Sequence, residues 1–150
     1  MPLVARVSDA EIRTLDIAEV EPHIPMLIAD GFTPDIDVGT WIGGFVEGAL
    51  AGFVRLFEHE GAWMLEDVYV FEEYRRRGIA AELIGRAESS IDHLWLICDD
   101  PMIGYYENLG FTLMPKPDFP NPLAALYAAK REWPGASDHN HNAMRWEKSR

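Results

Sequence analysis

Val70-Phe71-Glu72-Glu73-Tyr74-Arg75-Arg76-Arg77-Gly78-Ile79-Ala80 carries the chain from the end of an apolar strand into an amphipathic helix. The formal net charge of the whole chain is −12, yet three consecutive arginines stand at this junction, followed by Gly-x-Ala. Backbone amides at a helix N-terminus, with cations beside them, make an anion site, and a phosphate group fits it. Gly78 lets the backbone approach a pyrophosphate closely, and Ala80 keeps the helix entrance uncrowded. Amides from Arg76, Arg77, Gly78, Ile79 and Ala80 would point at the ligand, with Arg75 reaching it as a cation. The competing reading is a solvated basic helix start closed by a glycine turn. Neither GxxxxGK(S/T) nor a dinucleotide-binding GxGxxG is present, so the P-loop and Rossmann modes are excluded as the source of the signal.

Upstream of this junction, 41–46, 49–57 and 62–71 read as three strands, joined by turns at Glu47-Gly48 and at Glu58-His59-Glu60-Gly61, which makes an antiparallel meander. Leu3 to Val7 reads as a first strand, and Ser8-Asp9 as the cap of a helical turn from Ala10 to Ile17. Pro22, Pro25 and Pro34 break the next region into short helical pieces. Downstream, Ala80, Leu83, Ile84, Ala87 and Ile91 follow the 3.6-residue period. Leu94-Trp95-Leu96-Ile97-Cys98 is a strand buried on both faces, and the helix before it allows a parallel pairing. Asp99-Asp100-Pro101 opens another helix, which Gly110 ends, and 111–114 and 143–147 read as closing strands.

The chain has 150 residues, enough for one domain that buries about 70% of the surface its unfolded form exposes. An apolar content of 48% with five tryptophans argues for a packed core. A single cysteine, Cys98, excludes a disulfide framework and a cysteine-rich zinc site. No secretory leader and no membrane-length apolar run is visible, so a cytoplasmic protein is expected, with no membrane partner. The negative charge opposes nucleic-acid binding and favours cationic partners, although solubility alone also accounts for it.

Arg75-x-x-Gly78-x-Ala80 after a strand, with Tyr105-Tyr106-Glu107-Asn108-Leu109-Gly110-Phe111 downstream, resembles the GNAT superfamily of acyl-CoA-dependent N-acyltransferases. The family pattern is a strand, (Gln/Arg)-x-x-Gly-x-(Gly/Ala), a helix, a strand and a Tyr-Glu-Lys-Leu-Gly-Phe-like segment. Asn108 stands here in place of the lysine. The likeness runs from Leu65 to about Met114. It implies an α/β (α+β) fold with a mixed, mostly antiparallel central sheet, a splayed parallel strand pair and flanking helices.

It also implies an N-acetyltransferase that uses acetyl-CoA, needs no metal, and acts on a small amine or a peptide amine by direct attack. The CoA diphosphate would sit on the amides from Arg75 to Ala80. Its pantetheine arm would pair with the backbone of Tyr69 and Val70 as an added strand does. Tyr106 corresponds to the general acid that protonates the departing thiolate, the alternative being a tyrosine that only packs under the site. Tyr105 is expected to face the core.

No motif fixes the general base. Glu66 shares a strand face with Val68 and Val70 by alternation, while Asp67 points to the other face, so Glu66 is the candidate base; a solvated or ion-paired carboxylate is the alternative. Asp99 stands where many relatives carry asparagine, seven residues before the tyrosine. There it contacts pantetheine, attracts a cationic acceptor, or only caps a helix. A non-catalytic acyl-CoA-binding or protein-interaction module is the alternative to an enzyme.

The other candidates carry less. His139 and His141 lie in a polar loop and are read as loop rather than as metal ligands, and His59 and His93 have no recognisable partner in the sequence. Trp41 and Trp63 either line an acceptor pocket or pack in the core. The single domain spans 1–150, with an extended connection between the last two strands at about 115–142. That connection is expected to hold a helix from Asn121-Pro122 to about Glu132. With Phe119, Leu123, Leu126 and Tyr127 as its apolar face, it would form a lid over the acceptor site or part of a homodimer interface.

Overall fold

Two-residue links of Glu-Gly between apolar runs set the middle of the chain. Glu47 and Gly48 (φ 51° and 83°) join one hairpin, and Glu60 and Gly61 (φ 48° and 92°) the next. Positive φ at both positions is the type I′ geometry whose twist matches that of paired strands. A computed structural model describes residues 10–32, 34–114 and 142–149. The elements begin with β1 (Glu11–Leu15), α1 (Ile17–Val20), a 3₁₀ turn (Glu21–His23) and α2 (Ile24–Ala29). Then follow β2 (Thr40–Val46), β3 (Ala49–His59), β4 (Ala62–Val70), a 3₁₀ turn (Glu72–Tyr74) and α3 (Ile79–Glu88). The series closes with β5 (His93–Cys98), a 3₁₀ turn (Asp100–Met102), α4 (Ile103–Asn108), β6 (Thr112–Met114) and β7 (Asn142–Glu147).

The strands are hydrogen-bonded in the order β1-β2-β3-β4-β5-β7-β6. β4 and β5 pair in parallel, with Met64 opposite Trp95, and β5/β7 and β6/β7 are antiparallel, as are β1/β2 and β2/β3. This is the mixed, mostly antiparallel sheet with flanking helices that the sequence predicts. The helical turn expected from Ala10 to Ile17 is not formed: Glu11–Leu15 is a strand, with Ile12 opposite Gly44 and Leu15 opposite Trp41. Its β-branched Ile12 and Thr14 suit a strand, and pairing with β2 satisfies their backbone. The strand expected at 3–7 and nearly all of the 115–142 connection, including its helix and His139 and His141, lie outside the described residues. Among those described, no helix is long and apolar enough to cross a membrane.

The chain divides into two compact units, Met1–Phe57 with Leu65–Ser90, and Glu58–Met64 with Ile91–Arg150. In the first, Leu15, Val20, Leu27, Trp41 and Phe53 form a buried cluster under α1 and α2. Trp41 is thus a core residue, and its Nε1–H donates to the Ile36 carbonyl at 3.1 Å. α3 covers the opposite face of β2 through Ile79 and Leu83, where the missing side chain of Gly44 makes room. Ile79, Leu83, Ile84 and Ala87 are the buried stripe of α3, as its periodicity predicts. In the second unit, Leu94, Trp95 and Leu96 are buried in succession, together with Ala143 and Met144 of β7. His93 does have partners. Its Nε2 accepts the Trp63 amide at 3.2 Å, which places the proton on Nδ1, 2.7 Å from the Asp92 carboxylate.

Glu88, at the end of α3, has one carboxylate oxygen sealed from solvent with no hydrogen-bond partner among the described residues. Burial pushes its carboxyl up to about 7 from an ordinary 4.5. Ionisation therefore opposes folding: stability is full below about pH 4.5 and declines as pH rises through about 7. Glu88 is only half-buried, and partial solvent screening reduces the effect to about 1 kcal/mol. Glu88→Gln is expected to raise Tm by roughly 2–4 °C at about pH 8 and to leave it nearly unchanged at about pH 4.5. Equal shifts in thermal melts at the two pH values would show that the ionisation is irrelevant.

Candidate active site

The junction between β4 and α3 is built from two left-handed residues. Arg76 has φ 66° and Gly78 φ 79°, and Gly78 is the N-cap residue of α3. A glycine takes this conformation without steric cost, whereas an arginine bears some of it. The Glu82 N–H donates to the Gly78 carbonyl at 3.1 Å. Earlier amides of α3, at Ile79, Ala80 and Ala81, therefore have no acceptor within the helix, and free amides at a helix N-terminus suit an anion.

Arg75 does not extend from this turn. Its Nε–H donates to the Val70 carbonyl at 2.7 Å, and its guanidinium lies 5.4 Å from the centre of the Tyr69 ring. Arg77 lies 5.4 Å over the Tyr74 ring. Tyr69 donates its hydroxyl to Asp30 Oδ2 at 2.8 Å; that bond is the main reason its phenol is raised, with burial adding to it. Its ring packs among Phe32, Phe53 and Phe71, at 5.9, 6.2 and 5.7 Å between centroids.

The backbone at the end of β4 has a defined orientation. The Phe71 N–H donates to the Ala51 carbonyl of β3 at 2.9 Å, so by alternation the Val70 amide points away from β3. Tyr69 faces β3 closely: a Cβ on Gly52 would lie 2.6 Å from the Tyr69 carbonyl oxygen and 3.0 Å from Val70 Cα. Only glycine at position 52 permits this approach. Of the two residues expected to hold an added strand, Val70 is thus the one that turns its N–H outward.

Glu66 and Asp67 do not part to opposite faces as simple alternation predicts. Asp67 is left-handed, with φ 55°, which breaks the period of two. Both carboxylates meet the same buried guanidinium, Arg55, with Asp67 Oδ2 2.7 Å from Nε and Glu66 Oε1 3.6 Å from a terminal nitrogen. A second donor of Arg55 reaches the Val38 carbonyl at 3.2 Å. Glu66 thus has the Arg55 guanidinium as an ionic neighbour at 3.6 Å, a pairing compatible with a carboxylate that accepts a proton. Sequence reasoning passed over Arg55, although a lone cation inside the apolar run 50–57 has to find an anion when that run is buried. Gly52 was passed over too; a glycine within a strand marks a close backbone approach.

In the second unit, Tyr106 and not Tyr105 turns inward, with exposures of 7% and 38%. Its ring meets those of Tyr105 and Phe111 at 5.2 and 5.8 Å, and its carbonyl accepts the Phe111 N–H after Gly110 (φ 97°) ends the helix. The expectation that Tyr105 faces the core fails because Phe111 folds back over its neighbour. Burial, assisted by Cys98 and Tyr105, holds the Tyr106 phenol far above its ordinary range, so it is protonated at any working pH. Cys98 is a buried free thiol, pushed up to about 11 chiefly by burial. Asp99 precedes the 3₁₀ turn, its carbonyl accepting the Met102 N–H at 2.9 Å. Asn142 Nδ2 donates to the Cys98 carbonyl at 3.2 Å and to Asp100 Oδ1 at 2.7 Å, tying this end of β5 to β7.

Several solved structures that share this fold are described as acetyltransferases. N-acetylglutamate synthase from Neisseria gonorrhoeae, complexed with coenzyme A and N-acetyl-glutamate, superposes with a TM-score of 0.72 at 16% identity, over 97% of this chain. The chain spans 37% of that protein's length. An acetyltransferase of the GNAT family from Staphylococcus aureus Mu50 superposes with a TM-score of 0.64 at 17% identity, covering 92% of this chain and 98% of that one. A Bacillus anthracis protein described as a streptothricin acetyltransferase, in complex with acetyl coenzyme A, gives 0.55 at 16% identity over 78% of this chain and 65% of its own. At these identities the likeness establishes the fold. No match is found among curated proteins. The Acetyltransferase (GNAT) family profile matches residues 10–111, the segment that carries β1 to α4, the left-handed turn and Tyr106, and the chain belongs to that family.

Proposed function

We propose that this protein transfers an acetyl group from acetyl-CoA to a primary amine. The observation that carries the reading is the turn from Arg75 to Ala80, where two left-handed residues lead from β4 into the first turn of α3, whose amides have no acceptor within the helix. A diphosphate matches those amides, and the outward Val70 N–H suits an amide of the pantetheine arm. Neighbours of the same fold hold coenzyme A or acetyl coenzyme A, which agrees with this donor.

In the reaction the amine nitrogen attacks the thioester carbonyl, and the tetrahedral intermediate expels the thiolate of CoA. Tyr106 gives the thiolate its proton. The cationic amine gives up two protons: Glu66 receives one through water before attack, beside the Arg55 guanidinium, and the second, shed from the nitrogen of the tetrahedral intermediate, restores the Tyr106 phenol. The amide left behind on the acceptor is uncharged, so an amine enters as a cation and leaves neutral. A chain of net charge −12 favours such an acceptor: a polyamine, an amine antibiotic, an amino acid or a protein amino group. Asp99 adds a carboxylate where relatives carry an amide, which serves the same preference.

The test is release of the CoA thiol from acetyl-CoA across a panel of amines that includes spermidine, aminoglycosides, free amino acids such as glutamate, and Lys-rich peptides. Turnover with cationic amines, at least about tenfold above that with glutamate, is expected. Tight acetyl-CoA binding with no turnover on any amine would contradict the enzymatic reading.

A further inference from the structure

Arg55 stands at the centre of a clamp that the chemistry above uses only in passing. The residue is 3% exposed, and its guanidinium lies 5.8 and 4.8 Å from the ring centres of Trp41 and Phe57. Nε is 2.7 Å from Asp67 Oδ2, one terminal nitrogen donates to the Val38 carbonyl at 3.2 Å, and another lies 3.6 Å from Glu66 Oε1. With two rings and three acceptors around it, the guanidinium has one orientation. Asp67, which it holds, has a left-handed backbone in the middle of a strand.

The position of that irregularity matters because strand geometry repeats every two residues. One break in the pleat exchanges the direction of every N–H beyond it. Asp67 lies three residues before Val70, whose amide points away from β3. If Asp67 relaxed to an extended conformation, the downstream backbone would turn over, and Tyr69 would present its N–H in place of Val70. We propose that Arg55 is a positioning residue for the donor: by holding Asp67 left-handed it sets which amide at the end of β4 is offered to the pantetheine arm. The proposal rests on the acetyl-CoA reading above.

Two ligands separate this role from a general contribution to the fold. Coenzyme A carries the diphosphate and the pantetheine arm, whereas 3′-phosphoadenosine 5′-diphosphate carries the diphosphate without the arm. Arg55→Lys keeps the charge but cannot reproduce the fork, so CoA should bind about tenfold more weakly while the nucleotide changes less than about threefold. Asp67→Ala should behave in the same way. Asp67→Asn tolerates the left-handed conformation and keeps an oxygen for Nε–H, so its CoA affinity should remain within about threefold of wild type. Unchanged CoA affinity in Arg55→Lys and Asp67→Ala, or equal loss for both ligands, overturns the proposal. If Arg55→Lys does not fold, the two Asp67 variants decide: equal CoA affinity in Asn and Ala overturns it. A wild-type protein that binds neither ligand overturns the donor reading itself, and this assignment with it.

Discussion

Tyr106→Phe is expected to lower kcat by about 10²-fold or more, while acetyl-CoA binds almost as in the wild type. The substitution removes one oxygen and leaves the ring that packs against Tyr105 and Phe111. Stability should therefore change by less than about 1 kcal/mol, and any large kinetic effect belongs to the hydroxyl. A proton donor must hold its proton until the thiolate leaves. Burial ensures this, because the phenol is pushed far above its ordinary value of 10. Loss of the acid form consequently does not limit the wild-type rate at any pH below about 10. Steady-state kinetics at saturating acetyl-CoA decide the matter: a kcat within about threefold of wild type would remove Tyr106 from the chemistry and leave it a packing residue.

Gly78→Val should weaken acetyl-CoA binding by about 30- to 100-fold. Gly78 is left-handed, with φ 79°, and a β-branched residue resists that conformation by about 1–2 kcal/mol or more. The added side chain also occupies the space through which a diphosphate approaches the amides of α3. In the free variant the turn relaxes out of the left-handed conformation and binding has to restore it, so strain and steric block together exceed 2 kcal/mol, about thirtyfold in affinity. Calorimetric titration measures it directly. Gly78→Ala, with less bulk, should fall between the two. A valine variant that binds as tightly as wild type would mean that the turn does not hold the diphosphate.

The parts of this fold that are legible in the sequence are those decided by nearby residues. Glu47-Gly48 and Glu60-Gly61 announce their turns because positive φ is rare and glycine marks it. The stripe of α3 follows from its spacing, and the end of α4 from Gly110. What escaped notice depends on distant partners. Ile12 and Thr14 fit either a strand or a short helix, and only β2 decides between them. Tyr105 and Tyr106 are adjacent on a helix of one and a half turns, too short for periodicity to say which turns inward. Asp67 could not be read as left-handed without Arg55, twelve residues earlier on another strand. The candidate site divides in the same way. The turn proposed to take the diphosphate is local, whereas the pairing of Glu66 and the docking of Arg75 on Val70 are tertiary.

The single thiol of the chain has a practical consequence. Cys98 is buried and its proton is held up to about 11, so at neutral pH it offers almost no thiolate to a disulfide reagent or an alkylating agent. A colorimetric assay of the folded enzyme therefore counts only the CoA that turnover liberates. The same silence makes Cys98 a clock. Any slow labelling of the protein times the opening of β5, and its dependence on denaturant separates local fraying from global unfolding.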